Sequence, residues 1–288
     1  MRYFYYPGCS MSSSALEYDV STKAVLGELG AEVVEVEDWT CCGASTAETV
    51  SFLLSLVLPA RNLALAERMD GDGDFLVGCS ACYTNHCKVG EHVKRDPRLL
   101  DKINAALSIE HLTYTGKVRV RHLLDVLAND FGPEAIAVRV KRSLSALSVA
   151  PYYGCQIVRP YGLCDDSEYP TTMDEVLAAT GAEVFPYAMK VKCCGGVLMT
   201  TKKDVALRLV GGLLQAAKGA DCIVTVCPLC QMNLEAYQGD VSRYMGEDLH
   251  IPVLYLPQLL GLAFDLPREK LKLERNMASP RPVLDKLA

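Results

Sequence analysis

Phe75-Leu76-Val77-Gly78-Cys79-Ser80-Ala81-Cys82 decides how this chain is read, because Cys222-Ile223-Val224-Thr225-Val226-Cys227-Pro228-Leu229-Cys230 repeats its plan. Each stretch is a short apolar run that ends on a Cys-x-x-Cys. Runs of this length and composition predict buried strands, at 75–77 and 222–226. In open α/β sheets, sites form in the loops beyond the carboxyl ends of strands. Both cysteine pairs fit that position.

The repeat extends outward from there. Tyr6-Pro7-Gly8-Cys9 is answered by Tyr153-Gly154-Cys155, Gly30-Ala31-Glu32-Val33 by Gly181-Ala182-Glu183-Val184, and Cys41-Cys42-Gly43 by Cys193-Cys194-Gly195. Each half therefore reads Cys, Cys-Cys-Gly, Cys-x-x-Cys. The gaps are 31 and 36 residues in the first half and 37 and 32 in the second. Two copies are too few for a solenoid and indicate two homologous domains. The boundary falls within 132–148, giving domains at 1–145 and 146–265. A basic tail follows at 266–288, carrying Arg268, Lys270, Lys272, Arg275, Arg281 and Lys286. It reads as a frayed, solvated terminus or as an arm that docks on another protein of a complex.

Ser14-Ala15-Leu16-Glu17 is a capping-box pattern. It opens a helix whose apolar positions Val20, Ala24, Val25, Leu26 and Leu29 recur at helical spacing, with Gly30 as the residue just past its end. A strand follows at 33–36. In the second half, Thr171-Thr172-Met173-Asp174-Glu175 begins a helix that stops at Gly181, and a strand follows at 183–185. Further strands are predicted at 3–6 and 253–255. Helices are predicted at 46–68 (kinked or broken near Pro59), 122–128, 203–217 and 256–262. Strands alternating with helices predict parallel α/β sheets.

Composition narrows the function classes. In 288 residues, half are apolar and 22% are charged, the balance of a chain with a substantial core. The net charge of −6 argues against nucleic acid as a partner. The longest apolar run, around 52–58, is interrupted by Pro59 and Arg61 and is too short to span a bilayer. The opening residues lack the apolar region and cleavage site of a signal peptide. These features predict a cytoplasmic protein.

Thirteen cysteines are the outlier. In a reducing compartment disulfides are not the default, and an odd count argues against a fully paired framework. A lone Cys-x-x-Cys serves zinc, redox disulfides and iron–sulfur clusters alike. A structural zinc site takes four ligands, usually as two short-spaced pairs, whereas each half here offers five thiols, two of them adjacent. Adjacent side chains diverge in extended chain, which suits two irons of an extended cluster better than one tetrahedral ion. The Cys-x₂-Cys-x₂-Cys-x₃-Cys frame of bacterial ferredoxins is absent. Soft thiolates in this number point to iron–sulfur chemistry, one centre per half.

The duplicated pattern resembles the cysteine-rich CCG domain, and the chain from residue 1 to about 263 resembles the B subunit of heterodisulfide reductase. The resemblance implies two pseudo-symmetric Rossmann-like α/β domains and two noncubane [4Fe-4S] clusters. One would be held by Cys9, Cys41, Cys42, Cys79 and Cys82. The other would be held by Cys155, Cys193, Cys194, Cys227 and Cys230. It implies reductive cleavage of a disulfide between the clusters, the mixed disulfide of coenzyme M and coenzyme B in methanogens. It also implies two partners in the same complex, a ferredoxin-like C subunit and a flavin-containing A subunit. The rival reading, from related proteins, is an electron-transfer iron–sulfur subunit of a hydroxy-acid oxidation system of the lactate or glycolate type. A zinc-stabilised scaffold is a third reading.

Other residues are weaker candidates. Gly43, Gly195 and Gly196 would let backbone lie close to a cluster or substrate, or simply make tight turns. His86 is a candidate proton donor near the first cluster, or a plain surface histidine. Arg159, Lys190 and Lys192 would hold an anionic substrate group, and Asn85, Gln231 and Asn233 would make polar contacts to substrate. Ordinary solvated charge is the competing reading for the basic residues. Cys87, Cys164 and Cys222 lie outside the motifs and read as buried free thiols.

Overall fold

The computed structural model describes residues 1–44, 46–162 and 165–288. Cys164 therefore lies outside the described residues. Eight strands form two four-stranded sheets, parallel throughout. The first contains β1 (Arg2–Tyr6), β2 (Glu32–Glu35), β3 (Asp74–Val77) and β4 (Val120–His122), ordered β2-β1-β3-β4. The second contains β5 (Ser148–Tyr152), β6 (Glu183–Val184), β7 (Cys222–Thr225) and β8 (Val253–Tyr255), ordered β6-β5-β7-β8. The two halves thus share one topology, as the internal repeat requires.

Period-two alternation gives each sheet two buried faces. Tyr3, Tyr5, Leu76, Val149, Cys222 and Val224 point into one core shared by both halves. Phe4, Tyr6, Phe75 and Val77 point into a second core under the first half's own helices. Ala150, Tyr152 and Ile223 do the same in the second half.

The shared core is closed by an exchange of helices. Helix Leu256–Ala263, which follows β8, packs against helix Leu16–Glu28 of the first half. The stretch after β4, π-helical over Val126–Phe131 and then α-helical over Gly132–Arg139, packs against helix Thr172–Ala178 of the second half. Each half's closing helix therefore covers the other half.

Several local features differ from the sequence reading. The 148–152 strand is missing from that reading because Pro151 sits inside it, and proline argues against a central strand. It is tolerated here because β6 pairs with β5 only at Ser148 and Val149, so Pro151 has a strand neighbour on one side alone. The predicted capping box at Ser14 is absent. The helix begins at Leu16 with Ala15 before it and no side-chain cap, because the turn Gly8–Met11 takes up the preceding chain. The far end is as expected: Gly30 and Ala31 amides donate to the Gly27 and Leu26 carbonyls, a Schellman ending with Gly30 at φ +82°.

The predicted 46–68 helix breaks at Ser51, not at Pro59. Ser51 is extended (φ −159°, ψ 129°), and its hydroxyl caps helix Phe52–Ala66 through the Leu54 amide. Pro59 sits inside that helix. The tail is neither frayed nor free. Leu271, Leu273 and Val283 are buried in the shared core. Arg275 pairs with Glu17 at 3.1 Å, and Lys286 with Asp221 at 2.6 Å. Among the described residues no helix is long and apolar enough to cross a membrane.

Candidate metal centre

Four of the cysteines stand just beyond strand ends. Cys9 follows β1, Cys79 follows β3, Cys155 follows β5 and Cys227 follows β7. Each strand order switches direction between β1 and β3, or β5 and β7, so these ends flank the crevice where α/β folds bind ligands. The two sheets turn these crevices toward each other. One cavity of about 440 Å³ results, lined by all ten motif cysteines together with Ser80, Tyr153, Gln156, Val197 and Leu229 among others.

The ten sulfurs form one string. Cys9 Sγ lies 4.0 Å from Cys41, and Cys42 lies 3.4 Å from Cys82. Cys82 contacts Cys79, and Cys79 contacts Cys227 across the two halves. The second half runs on in mirror order through Cys230, which lies 3.6 Å from Cys194, to Cys193 and Cys155. Among the described residues no three His, Cys, Asp or Glu side chains converge as they would on a single ion. The arrangement is a rim of thiols around a common space.

Crowding sets the protonation of this rim. Hydrogen bonds from Cys41 and then Cys82 pull Cys42 down to about 2. Those from Cys155 and then Cys194 pull Cys193 down to about 2, and those from Cys230 and Cys79 hold Cys227 well below the usual thiol range. Their neighbours move the other way: Cys41, Cys79, Cys82, Cys155 and Cys230 are raised, and Cys194 goes up to about 11. Thiols in contact cannot all ionise beside one another unless positive charge lies between them. Iron would supply that charge, and ten thiolate-capable sulfurs fit the donor set of iron–sulfur clusters.

Matching side chains hold the two Cys-Cys loops. Asn85 donates to the Cys42 carbonyl at 3.1 Å, with its nitrogen 3.8 Å from Cys42 Sγ. Asn233, three residues past Cys230 as Asn85 is past Cys82, donates to the carbonyls of Cys194 (3.1 Å) and Gly196 (2.9 Å) and lies 3.5 Å from Cys194 Sγ. The Tyr6 hydroxyl donates to the Thr40 carbonyl at 2.9 Å, and that of Tyr152 to the Lys192 carbonyl at 2.8 Å. Gly8 and Gly154, at φ +67° and +75°, let the chain pass under the thiols. A Cβ would sit 3.4 Å from Cys82 Sγ at Gly8 and 3.2 Å from Cys230 Sγ at Gly154.

The predicted accessory residues are dispersed by the structure. Gly195 and Gly196 line the cavity, while Gly43 packs against Ala47 and Leu58 beside it. Asn85 supports the Cys42 loop and does not line the cavity. His86 is 1% exposed and packs against the stacked rings of Tyr6 and Phe75. Its Nδ1 is 2.7 Å from the Cys82 carbonyl, its Nε2 is 3.4 Å from Asn62, and burial lowers its pKa. It is a neutral core residue that braces the Cys82 turn, not a proton donor at the cavity.

Gln231 is also buried and clamps its helix to the Val253 carbonyl at 2.8 Å. Arg159 is paired with Glu168 on the surface, and Lys190 is held by Asp174 at 2.6 Å. Lys192 is exposed, outside the cavity lining. Cys222 is in the shared core, and Cys87 packs against the first half's own core. Sequence reasoning misses Ser80, Asn62, Gly8, Gly154 and Tyr18. Of these only the two glycines carry a signal, their matching Gly-Cys steps.

Comparison with known proteins agrees with this geometry. The cysteine-rich (CCG) domain matches twice, at residues 3–85 and 149–235. The chain belongs to the CCG cysteine-rich domain family. Within it, the chain is of the heterodisulfide reductase B-subunit type. It is 31% identical over 276 residues, 93% of this chain and 91% of the relative, to the B subunit of ferredoxin:CoB-CoM heterodisulfide reductase from Methanosarcina mazei. It is also 38% identical over 281 residues, 96% of each chain, to the 8-methylmenaquinol:fumarate reductase membrane anchor subunit of Wolinella succinogenes. A crystal structure of a hypothetical protein from Helicobacter pylori matches with a TM-score of 0.79 at 16% identity. That match covers 96% of this CCG protein and 52% of the other chain, and the likeness is one of fold.

Proposed function

We propose that this CCG protein is the subunit of a multi-subunit oxidoreductase that reductively cleaves a small disulfide in the cavity between two noncubane [4Fe-4S] clusters. Cys9, Cys41, Cys42, Cys79 and Cys82 hold one cluster, and Cys155, Cys193, Cys194, Cys227 and Cys230 hold the other. When bound, the clusters supply two one-electron steps, which match the two electrons a disulfide takes up. The observation that carries the reading is that all ten motif cysteines, five from each half, line one cavity. Asn85, Asn233, Tyr6 and Tyr152 fix the Cys-Cys loops. Electrons would come from the ferredoxin-like and flavin-containing partners of the same complex.

A second reading has its own support. The 38% identity to a protein of a quinol:fumarate reductase favours a role in which the clusters relay electrons and no disulfide binds. It takes the place of the hydroxy-acid oxidation system as the nearer electron-relay role.

Anaerobically loaded protein reduced with dithionite separates the two. Under the disulfide reading, adding a disulfide reoxidises the protein, releases two thiols per disulfide and produces a new paramagnetic signal with thiol. If disulfides leave the reduced protein unchanged while a menaquinone analogue reoxidises the assembled complex, the relay reading stands instead. Absence of iron from protein never exposed to air would overturn both.

A further inference from the structure

We propose that Ser80 is a hydrogen-bond donor to sulfur in the first half of the cavity, and that it raises the reduction potential of the cluster held there. The inference rests on the cluster reading above. Ser80 is the first residue of helix Ser80–Arg95, between Cys79 and Cys82. It is 3% exposed, it lines the cavity, and its Oγ has no hydrogen-bond partner.

Ser10 and Gln156 also line the cavity but reach solvent, and several polar groups beside the cysteines are already engaged. The Thr84 hydroxyl serves the Ser80 and Gln156 carbonyls, and the Ser13 hydroxyl serves the Cys9 carbonyl. Asn85 and Asn233 serve Cys42 and Cys194. The amide of Cys82 is directed to Cys79 Sγ, and those of Cys230 and Leu229 to Cys227 Sγ. A buried hydroxyl left unpaired is costly, so one on a residue that lines a cavity marks an acceptor that belongs there. At a helix N-terminus the favoured acceptor is anionic, and the anionic acceptors of this cavity are sulfurs.

The second half carries no hydroxyl at the matching position. Its Cys-x-x-Cys encloses Pro228 and Leu229, and Pro228, at the start of helix Pro228–Ala236, carries neither a hydroxyl nor an N–H. Hydrogen bonds to sulfur raise the reduction potential of an iron–sulfur cluster. Ser80 therefore raises the potential of the first-half cluster, an influence that Pro228 does not supply in the second half.

The test compares Ser80→Ala and Ser80→Thr with the parent as loaded full-length protein, by iron content, potentiometric titration and pulsed paramagnetic resonance in D₂O. Ser80→Ala is expected to keep its iron, to lower the midpoint potential of one cluster only, and to lose one exchangeable deuteron coupling. Ser80→Thr, which retains the hydroxyl, is expected to keep both properties. Unchanged potentials and coupling in fully loaded Ser80→Ala overturn the inference and leave the cluster reading intact. Loss of the coupling in Ser80→Thr as well as in Ser80→Ala also overturns it. A parent protein without iron removes the cluster reading itself.

Discussion

Cys79 of the first half packs against the second half's core beside Cys227, and each is the first cysteine of its Cys-x-x-Cys. Tyr18 fixes this junction. Its hydroxyl donates to the Gly78 carbonyl at 2.7 Å and lies 3.2 Å from that of Val226, the residues just before the two cysteines. Its ring stacks on Tyr255 at 4.1 Å. One side chain thus sets the spacing of the two cysteine sets.

Iron content should report the string link by link. Replacing Cys9 or Cys155 by Ser, at its two ends, should cost up to about half of the roughly eight irons expected from two four-iron clusters. The signals of the other half should stay unchanged. Replacing Cys79 or Cys227 should alter the signals of both halves. Iron analysis and low-temperature paramagnetic resonance on the four variants check this.

Tyr18→Phe removes the hydroxyl between two buried carbonyls and keeps the ring. The expected loss is about 1–3 kcal/mol, read as a lower urea midpoint with an unchanged slope. A midpoint equal to the parent's would show that the hydroxyl does not hold the junction.

Gly154→Ala places a Cβ 3.2 Å from Cys230 Sγ in a left-handed backbone. The strain is about 1–2 kcal/mol, and the crowding falls on a motif cysteine. Cluster retention in the second half should drop, while Gly239→Ala, where a Cβ meets nothing within 4 Å, should leave it intact. Equal iron in the two variants counts against a close fit at Gly154.

Glu235 gives the chain a pH-dependent term. Burial raises its carboxyl from 4.5 to about 7, against the lowering effect of the Met277 amide and of Gln231 and Asn276. The folded state then holds this proton more tightly than the unfolded chain. Its contribution is complete below about pH 4.5 and is lost as pH rises through about 7. The size is on the order of 3 kcal/mol. The stability difference between parent and Glu235→Gln should therefore move in favour of the variant from pH 4.5 to 7 and flatten above. A difference independent of pH over that window would refute the assignment.

The cysteine framework is legible in the sequence because it is local: a strand, a short loop, a cysteine, twice over. The packing around it is not. Helix Ser80–Arg95 leaves no clear pattern because the residues on its buried face include His86 and Lys88 rather than a run of aliphatic side chains. His86 reads as a surface donor because Tyr6 and Phe75, which cover it, come from strands β1 and β3. The tail reads as solvated from its charge. Yet Leu271, Leu273 and Val283 lie between the charges, and Asn276 pairs with Gln258 at 2.8 Å.

The exchange of helices Leu256–Ala263 and Gly132–Arg139 between the halves has a mechanical consequence. Two domains joined by a plain linker would swing apart about a hinge and close again around their cargo. Here each half is latched by the other, so swinging would tear open the common core. The cavity is a fixed vestibule: small molecules must enter through its mouth, and neither half made alone would bury its own inner sheet face.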